Sequence, residues 1–143
     1  MNLPQLLRLS KKLAAESGRL AKEQIWKEAT SRSDPDSLLA CMKLVSGRPL
    51  GAVGDKLNTD KTVLKGVFEK YRQALSEEPR LPRKPSIHMD LSTVISLIGE
   101  ISRIRATGSE DRKAHHLLDF LDAWNLDVEE SELLVKLLLV RSN

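Results

Sequence analysis

Apolar residues recur along the chain every three or four positions, which is the period of an α-helix, and no stretch alternates with the period of a β-strand. The pattern predicts an all-α fold, a compact multi-helix domain of antiparallel helices joined by short loops. The predicted helices cover about 3–16, 20–30, 35–46, 59–75, 91–106, 109–124 and 128–140. Residues 48–57 form a glycine-bearing connection that holds one helical turn at most.

Each predicted helix has an apolar face that we expect to point into the core. In the helix over 35–46 this face is a stripe of large residues with Cys41 beside it as a small core residue, and the stripe consists of Leu38, Leu39, Met42 and Val45. In the helix over 3–16 the inward residues are Leu3, Leu6, Leu7, Leu13 and Ala14. In the helix over 59–75 they are Val63, Leu64, Val67, Phe68, Tyr71 and Leu75. In the helix over 91–106 they are Leu91, Val94, Ile98 and Ile101.

Short polar residues mark the predicted helix starts. The expected N-terminal caps are Asp34, Asn58 or Thr59, Asp90, Ser109 and Asp127. Asp127 and Glu130 have the spacing of a capping box, and Gly47 is expected to end the third helix.

The composition agrees with one soluble helical domain. The chain has 143 residues, of which 41% are hydrophobic and only 3% aromatic, and this favours helices over sheets. A single cysteine excludes an internal disulfide and fits a reducing compartment. Because no apolar run approaches membrane-spanning length and the N-terminus lacks a signal-peptide core, we expect an intracellular protein without a membrane partner, in the cytoplasm, nucleoid or nucleus, or phage-encoded in a host cell.

Positive charge is concentrated in the first part of the chain. Residues 1–85 contain 17 Lys and Arg against 10 Asp and Glu, whereas residues 86–143 contain 6 against 10. The basic part is suited to an anionic polymer, and the alternative is a solvated helical surface with uneven charge.

Two stretches share one layout, in which a small hydroxyl residue and a glycine precede a helix with a lysine in its first turns. One is Ser17-Gly18-Arg19-Leu20-Ala21-Lys22, and the other runs from Thr107-Gly108-Ser109 to Lys113. The similarity continues through the following helices at an offset of about 90 to 95 residues. It predicts two pseudo-symmetric units, about 1–75 and about 90–143, with a basic proline-rich joint at about 76–89. A helix start with bare N–H groups and nearby cations is suited to a phosphate.

Most catalytic motifs are missing. The chain has no Gly-x-Ser-x-Gly, no paired Cys-x-x-Cys and no His-Glu-x-x-His, and the glycine-rich stretch at 47–57 lacks the Lys-Ser/Thr of a phosphate-binding loop. His115 and Asp119 share a helix face, but two potential ligands are not a metal site. Trp26 and Trp124 are expected to anchor the core.

The chain resembles the N-terminal DNA-binding domain of ATP-dependent DNA ligases. The similarity lies in the residues from Leu91 through Ile101-Ser102-Arg103-Ile104-Arg105-Ala106-Thr107-Gly108-Ser109 to Arg112-Lys113, in 130–141, and in 17–22, 38–47 and 50–57. That domain is all-helical and pseudo-twofold symmetric, and it holds the minor groove around a nick mainly through phosphates.

The resemblance implies non-sequence-specific binding of double-stranded nicked DNA, for strand joining in replication, repair and recombination. It places the phosphate contacts on Ser17, Gly18, Arg19, Lys22, Arg105, Thr107, Gly108, Ser109, Lys113 and Arg141. The Lys-x-Asp-Gly motif of the family's catalytic core is absent, so ATP and Mg²⁺ belong to a core supplied in cis or in trans, and this chain needs no cofactor of its own. Whether the whole protein is an enzyme stays open, because the chain is either a ligase fragment or a freestanding domain.

Two other functions compete with this interpretation. One is a helical protein–protein interaction module without a nucleic-acid role, which an exposed leucine-rich face would favour. The other is a small enzyme that uses the face of His115 and Asp119. If one duplex is held by both glycine turns, Lys22, Lys113 and the arginines are expected to point outward together.

Overall fold

A computed structural model describes residues 1–51, 56–77, 88–105 and 107–142 of the chain. These residues form seven α-helices and no strand, so the all-α prediction is confirmed. The helices are α1 (Leu3–Ala15), α2 (Arg19–Arg32), α3 (Pro35–Ser46), α4 (Lys61–Glu77), α5 (Leu91–Ser102), α6 (Ser109–Trp124) and α7 (Val128–Leu139).

Local hydrogen bonds explain where several helices begin and end. The Asn2 side chain accepts from the Gln5 N–H at 2.9 Å while the Gln5 side chain accepts from the Asn2 N–H at 2.9 Å, which forms a capping box on α1. Asp34 and Asp127 cap α3 and α7 as predicted. Gly47 ends α3 in the left-handed conformation, with φ of 74°, where a side chain would also meet Val140.

Two predicted caps are wrong. Gly108, not Ser109, occupies the N-cap of α6, and Ser109 is the first residue of the helix. Asp60, rather than Asn58 or Thr59, lies before α4, where its side chain accepts from the Thr62 N–H at 3.3 Å. Asp90 does occupy the N-cap of α5, but its side chain makes no capping hydrogen bond among the described residues.

The core lies around α5. Its residues Leu97, Ile98 and Ile101 are fully buried, and α5 packs against α3 on one side and α6 on the other. Helix α4 packs against α6 and α7, and the Tyr71 hydroxyl donates to the Leu126 carbonyl at 2.6 Å. The inward faces predicted for α4 and α5 are confirmed as buried or half-buried.

The predicted inward faces of α3 and α1 need correction. In α3 the buried residues are Cys41 and Leu44, whereas Leu39, Met42 and Val45 keep 52%, 52% and 44% of their surface exposed. In α1 the unpredicted Leu9 is buried and Ala14 is exposed. Leu38 is half-buried and Cys41 is buried as predicted, so the apolar period assigned three of the four stripe residues to the wrong side of α3.

The starts of α1 and α5 are joined through their backbones. The Leu3 N–H donates to the Met89 carbonyl at 2.7 Å, and the Leu91 N–H donates to the Met1 carbonyl at 3.1 Å. Helix α1 packs against α2 and α7, and α5 packs against α6 and α3. In the predicted pseudo-symmetry α1 corresponds to α5, α2 to α6 and α7 to α3, so the two sets of packing partners would be equivalent. The pseudo-symmetry itself stays a prediction. Most of the predicted basic joint, at 78–87, lies outside the described residues.

The described helices were compared with the length and hydropathy that a membrane-spanning helix needs. None of the seven is both long and apolar enough to cross a bilayer.

Candidate nucleic-acid interface

Helix α2 begins at an exposed glycine with cations beside it. Gly18 is the N-cap, in extended backbone with φ of −84°, and its carbonyl accepts from the Lys22 N–H at 3.1 Å. Ser17, Gly18, Arg19 and Lys22 are all exposed. The Arg19 side chain is 90% exposed, and its guanidinium forms an ion pair with the Glu23 carboxylate at 3.1 Å. Thus the predicted contacts of the first unit lie together on the surface.

Helix α6 begins at a left-handed backbone position that favours glycine. Gly108 has φ of 78°, and its carbonyl accepts from the Arg112 N–H at 3.1 Å. Thr107 and Gly108 are exposed and Ser109 is half-buried. Arg105 is exposed, and its carbonyl accepts a hydrogen bond from the Arg112 guanidinium. The exposed turn is therefore braced from within its own helix start.

The expectation that Lys113 points outward is wrong. Only 4% of its surface is exposed, and its ammonium donates to the carbonyls of Leu57 at 2.7 Å and Asn58 at 3.0 Å. A buried ammonium needs such partners, because leaving it unpaired is costly. To touch a phosphate, Lys113 would have to break both hydrogen bonds.

Glu110 strengthens the same attachment. Its carboxylate accepts from the hydroxyl of Thr59, a fully buried residue, at 2.7 Å. The Leu57 N–H in turn donates to the Arg141 carbonyl at 3.2 Å. The segment at 57–59 is thereby held between the first turns of α6 and the end of α7.

Arg141 is likewise engaged inside the fold. It is 5% exposed, and its guanidinium donates to the carbonyls of Lys43 at 3.1 Å and Arg48 at 2.9 Å. These carbonyls lie at the C-terminal end of α3 and just after it, and the Lys43 carbonyl also accepts from the N–H groups of Gly47 and Arg48. The residue predicted to flank a phosphate site instead holds the end of α3 to the end of α7.

Arg112 was overlooked when the two stretches were aligned by residue type, which paired Lys22 with Lys113. Lys22 follows Gly18 by four residues, and Arg112 follows Gly108 by four, whereas Lys113 follows it by five. One residue turns a helix by about 100°, so Lys22 and Lys113 leave their helices in different directions. Arg112 is exposed, like Lys22. Counting from the glycines, rather than aligning the lysines, would have identified it.

The two helix starts differ in charge. The first turn of α2 contains no acidic residue, so Arg19 adds to the positive end of the helix dipole. The first turn of α6 contains Glu110 and Asp111, which satisfy that dipole from within the chain and oppose a bound anion. The α2 start therefore has the more favourable electrostatics for a phosphate.

The remaining candidate chemistry is not assembled into a site. In the described part of the chain, no group of three or more His, Cys, Asp and Glu residues is placed to hold a metal ion. His116 pairs with Glu100 at 2.9 Å, and His115 contacts the Asp111 carbonyl within its own helix. Burial raises the pKa of the Cys41 thiol, which disfavours the reactive thiolate.

No protein-family model matches the chain, and no curated protein or solved structure matches it at a significant level. The two glycine-opened helix starts and their side chains therefore carry the functional inference.

Proposed function

We propose that this chain binds duplex DNA through its phosphates, without sequence preference, in the manner of the N-terminal DNA-binding domain of an ATP-dependent DNA ligase. The observation that carries the proposal is the pair of exposed helix starts, each opened by a glycine and each with a cation four residues on, at Lys22 and Arg112. A glycine cap leaves the first N–H groups of a helix open to an incoming anion.

The proposed contact set differs from the one that the sequence resemblance implies. It retains the exposed residues of both turns and the half-buried Ser109, and it adds Arg112. The set consists of Ser17, Gly18, Arg19, Lys22, Arg105, Thr107, Gly108, Ser109 and Arg112. Lys113 and Arg141 are left out, because both are buried with their cationic groups bound to backbone carbonyls. Arg112 also donates to a backbone carbonyl, but it is exposed. In this set the side chains and helix starts contact phosphates, which position a duplex without reading its bases.

The role in strand joining follows the same resemblance. The domain would hold nicked duplex for a catalytic core, supplied in cis or in trans, that carries the lysine nucleophile, ATP and Mg²⁺. Both turns would then face one duplex, so losses at the two turns would combine in one binding event.

Binding of nicked and intact duplex across a salt series tests the proposal. We expect log K to fall linearly with log salt concentration for duplexes of unrelated sequence. Lys22→Ala and Arg112→Ala should each weaken binding by roughly fivefold and lower the salt slope by about 1. Lys27→Ala, an exposed lysine further along α2, is the matched control and should change neither quantity.

Two results would overturn the proposal. One is the absence of duplex binding at low salt. The other is an equal loss in all three variants, which would indicate diffuse attraction to net positive charge rather than contacts at the helix starts.

One observation favours a protein–protein interaction module as the second candidate. Leu39, Met42 and Val45 form an exposed apolar stripe on α3, and single exposed apolar residues are common whereas a stripe at helical spacing is not. Analytical ultracentrifugation of the native chain and of Met42→Glu tests whether this stripe drives association. An association that the charge at position 42 abolishes would support this candidate, and monomers throughout would count against self-association.

A further inference from the structure

The hairpin formed by α1 and α2 encloses a cleft that neither proposed function uses. The cleft measures about 180 Å³ and lies between the two helices. Its walls include the apolar residues Leu9, Ile25 and Ala29 and the cationic residues Arg8, Lys12 and Arg32. We call the first three residues, which are buried or half-buried, the apolar floor of the cleft, and the three exposed cations its basic rim.

The spacing along the helices explains this arrangement. Arg8 and Lys12 are four residues apart and share one face of α1, and Ile25, Ala29 and Arg32 recur on one face of α2. Helix α1 turns Leu3, Leu6 and Leu9 toward the core, so its charged face lies to the side. In α2 every residue retains some exposure, and the helix covers the cleft only partly.

The rim cations are available to a ligand. Arg8, Lys12 and Arg32 are exposed, and none of them forms an ion pair with a residue that the structure describes. Lys11, the neighbour of Lys12, does pair, with Glu129. Glu28 is the one acidic residue in the lining, so the rim carries an excess of positive charge.

The apolar floor indicates which class of anion fits. A nucleic-acid backbone offers charge but no aliphatic group to cover Leu9 and Ile25. The cleft is comparable in size to an engineered core cavity of ~150 Å³ that binds benzene, so it has room for one large apolar side chain. A peptide with an apolar anchor flanked by carboxylates satisfies both the floor and the rim.

We propose that the cleft between α1 and α2 docks an acidic amphipathic helix of a partner protein, whose apolar side chain enters the cleft and whose carboxylates pair with Arg8, Lys12 and Arg32. The site is separate from the DNA contacts. None of the proposed DNA contacts lines the cleft. Arg8 lies ~12 Å and Lys12 ~6 Å along α1 from Glu16, and Arg32 lies ~20 Å along α2 from Gly18.

A labelled synthetic peptide provides the test. The probe is a short helical peptide with two leucines one turn apart and glutamates on either side, and its binding to the full chain is followed by fluorescence anisotropy. Arg8→Glu and Arg32→Glu should each weaken binding by about fivefold, since each replaces a cation that attracts the peptide's glutamates with an anion that repels them. Lys27→Glu, on α2 but outside the cleft, is the matched control and should have no effect.

Control peptides examine each half of the proposal. Replacing the glutamates by lysines should abolish binding, and replacing the leucines by alanines should weaken it strongly. Equal binding of the acidic and basic peptides, or equal loss in Arg8→Glu and Lys27→Glu, would overturn the docking proposal. So would a loss of duplex binding, rather than of peptide binding, in Arg8→Glu, which would assign the rim to a nucleic-acid surface. Lys22→Ala should leave peptide binding unchanged, so this proposal and the DNA proposal can fail separately.

Discussion

Helices α2 and α6 open with the same layout of residues but use it for different purposes. The first turn of α2 lies on the surface with Arg19 and Lys22 exposed, and no residue of the helix is fully buried. By contrast, α6 buries Lys113, and its Glu110 holds the buried Thr59. The difference arises from the neighbours: α4 and the 57–59 segment cover α6, whereas α2 packs mainly on α1. A shared motif therefore does not imply a shared role for its lysine.

The largest expected effect is the loss of the buried lysine. Lys113→Ala removes two charge-assisted hydrogen bonds and leaves the Leu57 and Asn58 carbonyls without that donor, so we expect the free energy of unfolding to fall by about 2–4 kcal/mol. Lys22→Ala, the exposed counterpart, should change it by less than about 0.5 kcal/mol. Urea unfolding of both variants measures the contrast, and equal changes would contradict it.

The two glycines should differ next. Gly108→Ala forces an alanine into a left-handed backbone and should cost about 1–2 kcal/mol of stability. At Gly18 the backbone is extended and an added methyl group meets nothing within 4 Å, so Gly18→Ala should stay within about 0.5 kcal/mol of the native chain. Thermal unfolding of the pair is the measurement. A larger loss at Gly18 would show that the two turns have been assigned the wrong roles.

A smaller effect is expected from the acidic charge at the start of α6. It concerns the affinity for duplex DNA and rests on the proposed DNA binding. Asp111 is an exposed acid in the first turn of α6, and α2 has none at the same place. Asp111→Asn should therefore raise the affinity for duplex by about twofold at low salt and by less at high salt. Asp119→Asn, two turns along the same helix, is the control and should leave the affinity unchanged. An unchanged affinity in Asp111→Asn would mean that α6 does not face the phosphates.

The smallest effect concerns the cap of the helix that follows α2. Hydrogen bonding with Ser37 lowers the pKa of Asp34 below the ordinary value of 3.8. The ionised form is thus favoured in the folded chain, and its contribution is present above that value and lost as the pH falls through the folded pKa. Between about pH 5 and about pH 3 the native chain should lose slightly more stability than Asp34→Asn, which keeps a capping side chain without the titration. Identical pH profiles would contradict this origin of the cap's strength.

The helical fold was accessible from the pattern of apolar residues. Buried stripes such as Val94, Ile98 and Ile101 follow the helical period closely, because neighbouring helices enclose α5 and most of its buried positions are apolar, with Ser102 the polar exception. The apolar stripe of α3 gave a wrong prediction because most of its residues are not enclosed by other helices. Cys41 and Leu44 are the buried residues of α3, and Leu39, Met42 and Val45 remain exposed at the same helical period.

The candidate site was accessible only in part. Residues that depend on local chain geometry, such as the exposed turn at Ser17 and Gly18, lie where the sequence placed them. Residues whose environment is made by distant segments do not. Arg141 meets Lys43 and Arg48 across more than ninety positions of the chain, and no local pattern reports such a contact.

Local periodicity and turn chemistry alone thus specified the helices, most of their ends and the two glycine turns, because each depends on residues a few positions apart. Tertiary packing decided which side of α3 is buried and that Lys113 and Arg141 bind backbone carbonyls. The physical reason is that a long cationic side chain is suited equally to solvent, a phosphate or a buried carbonyl. Only the segments folded around it determine which of these it meets.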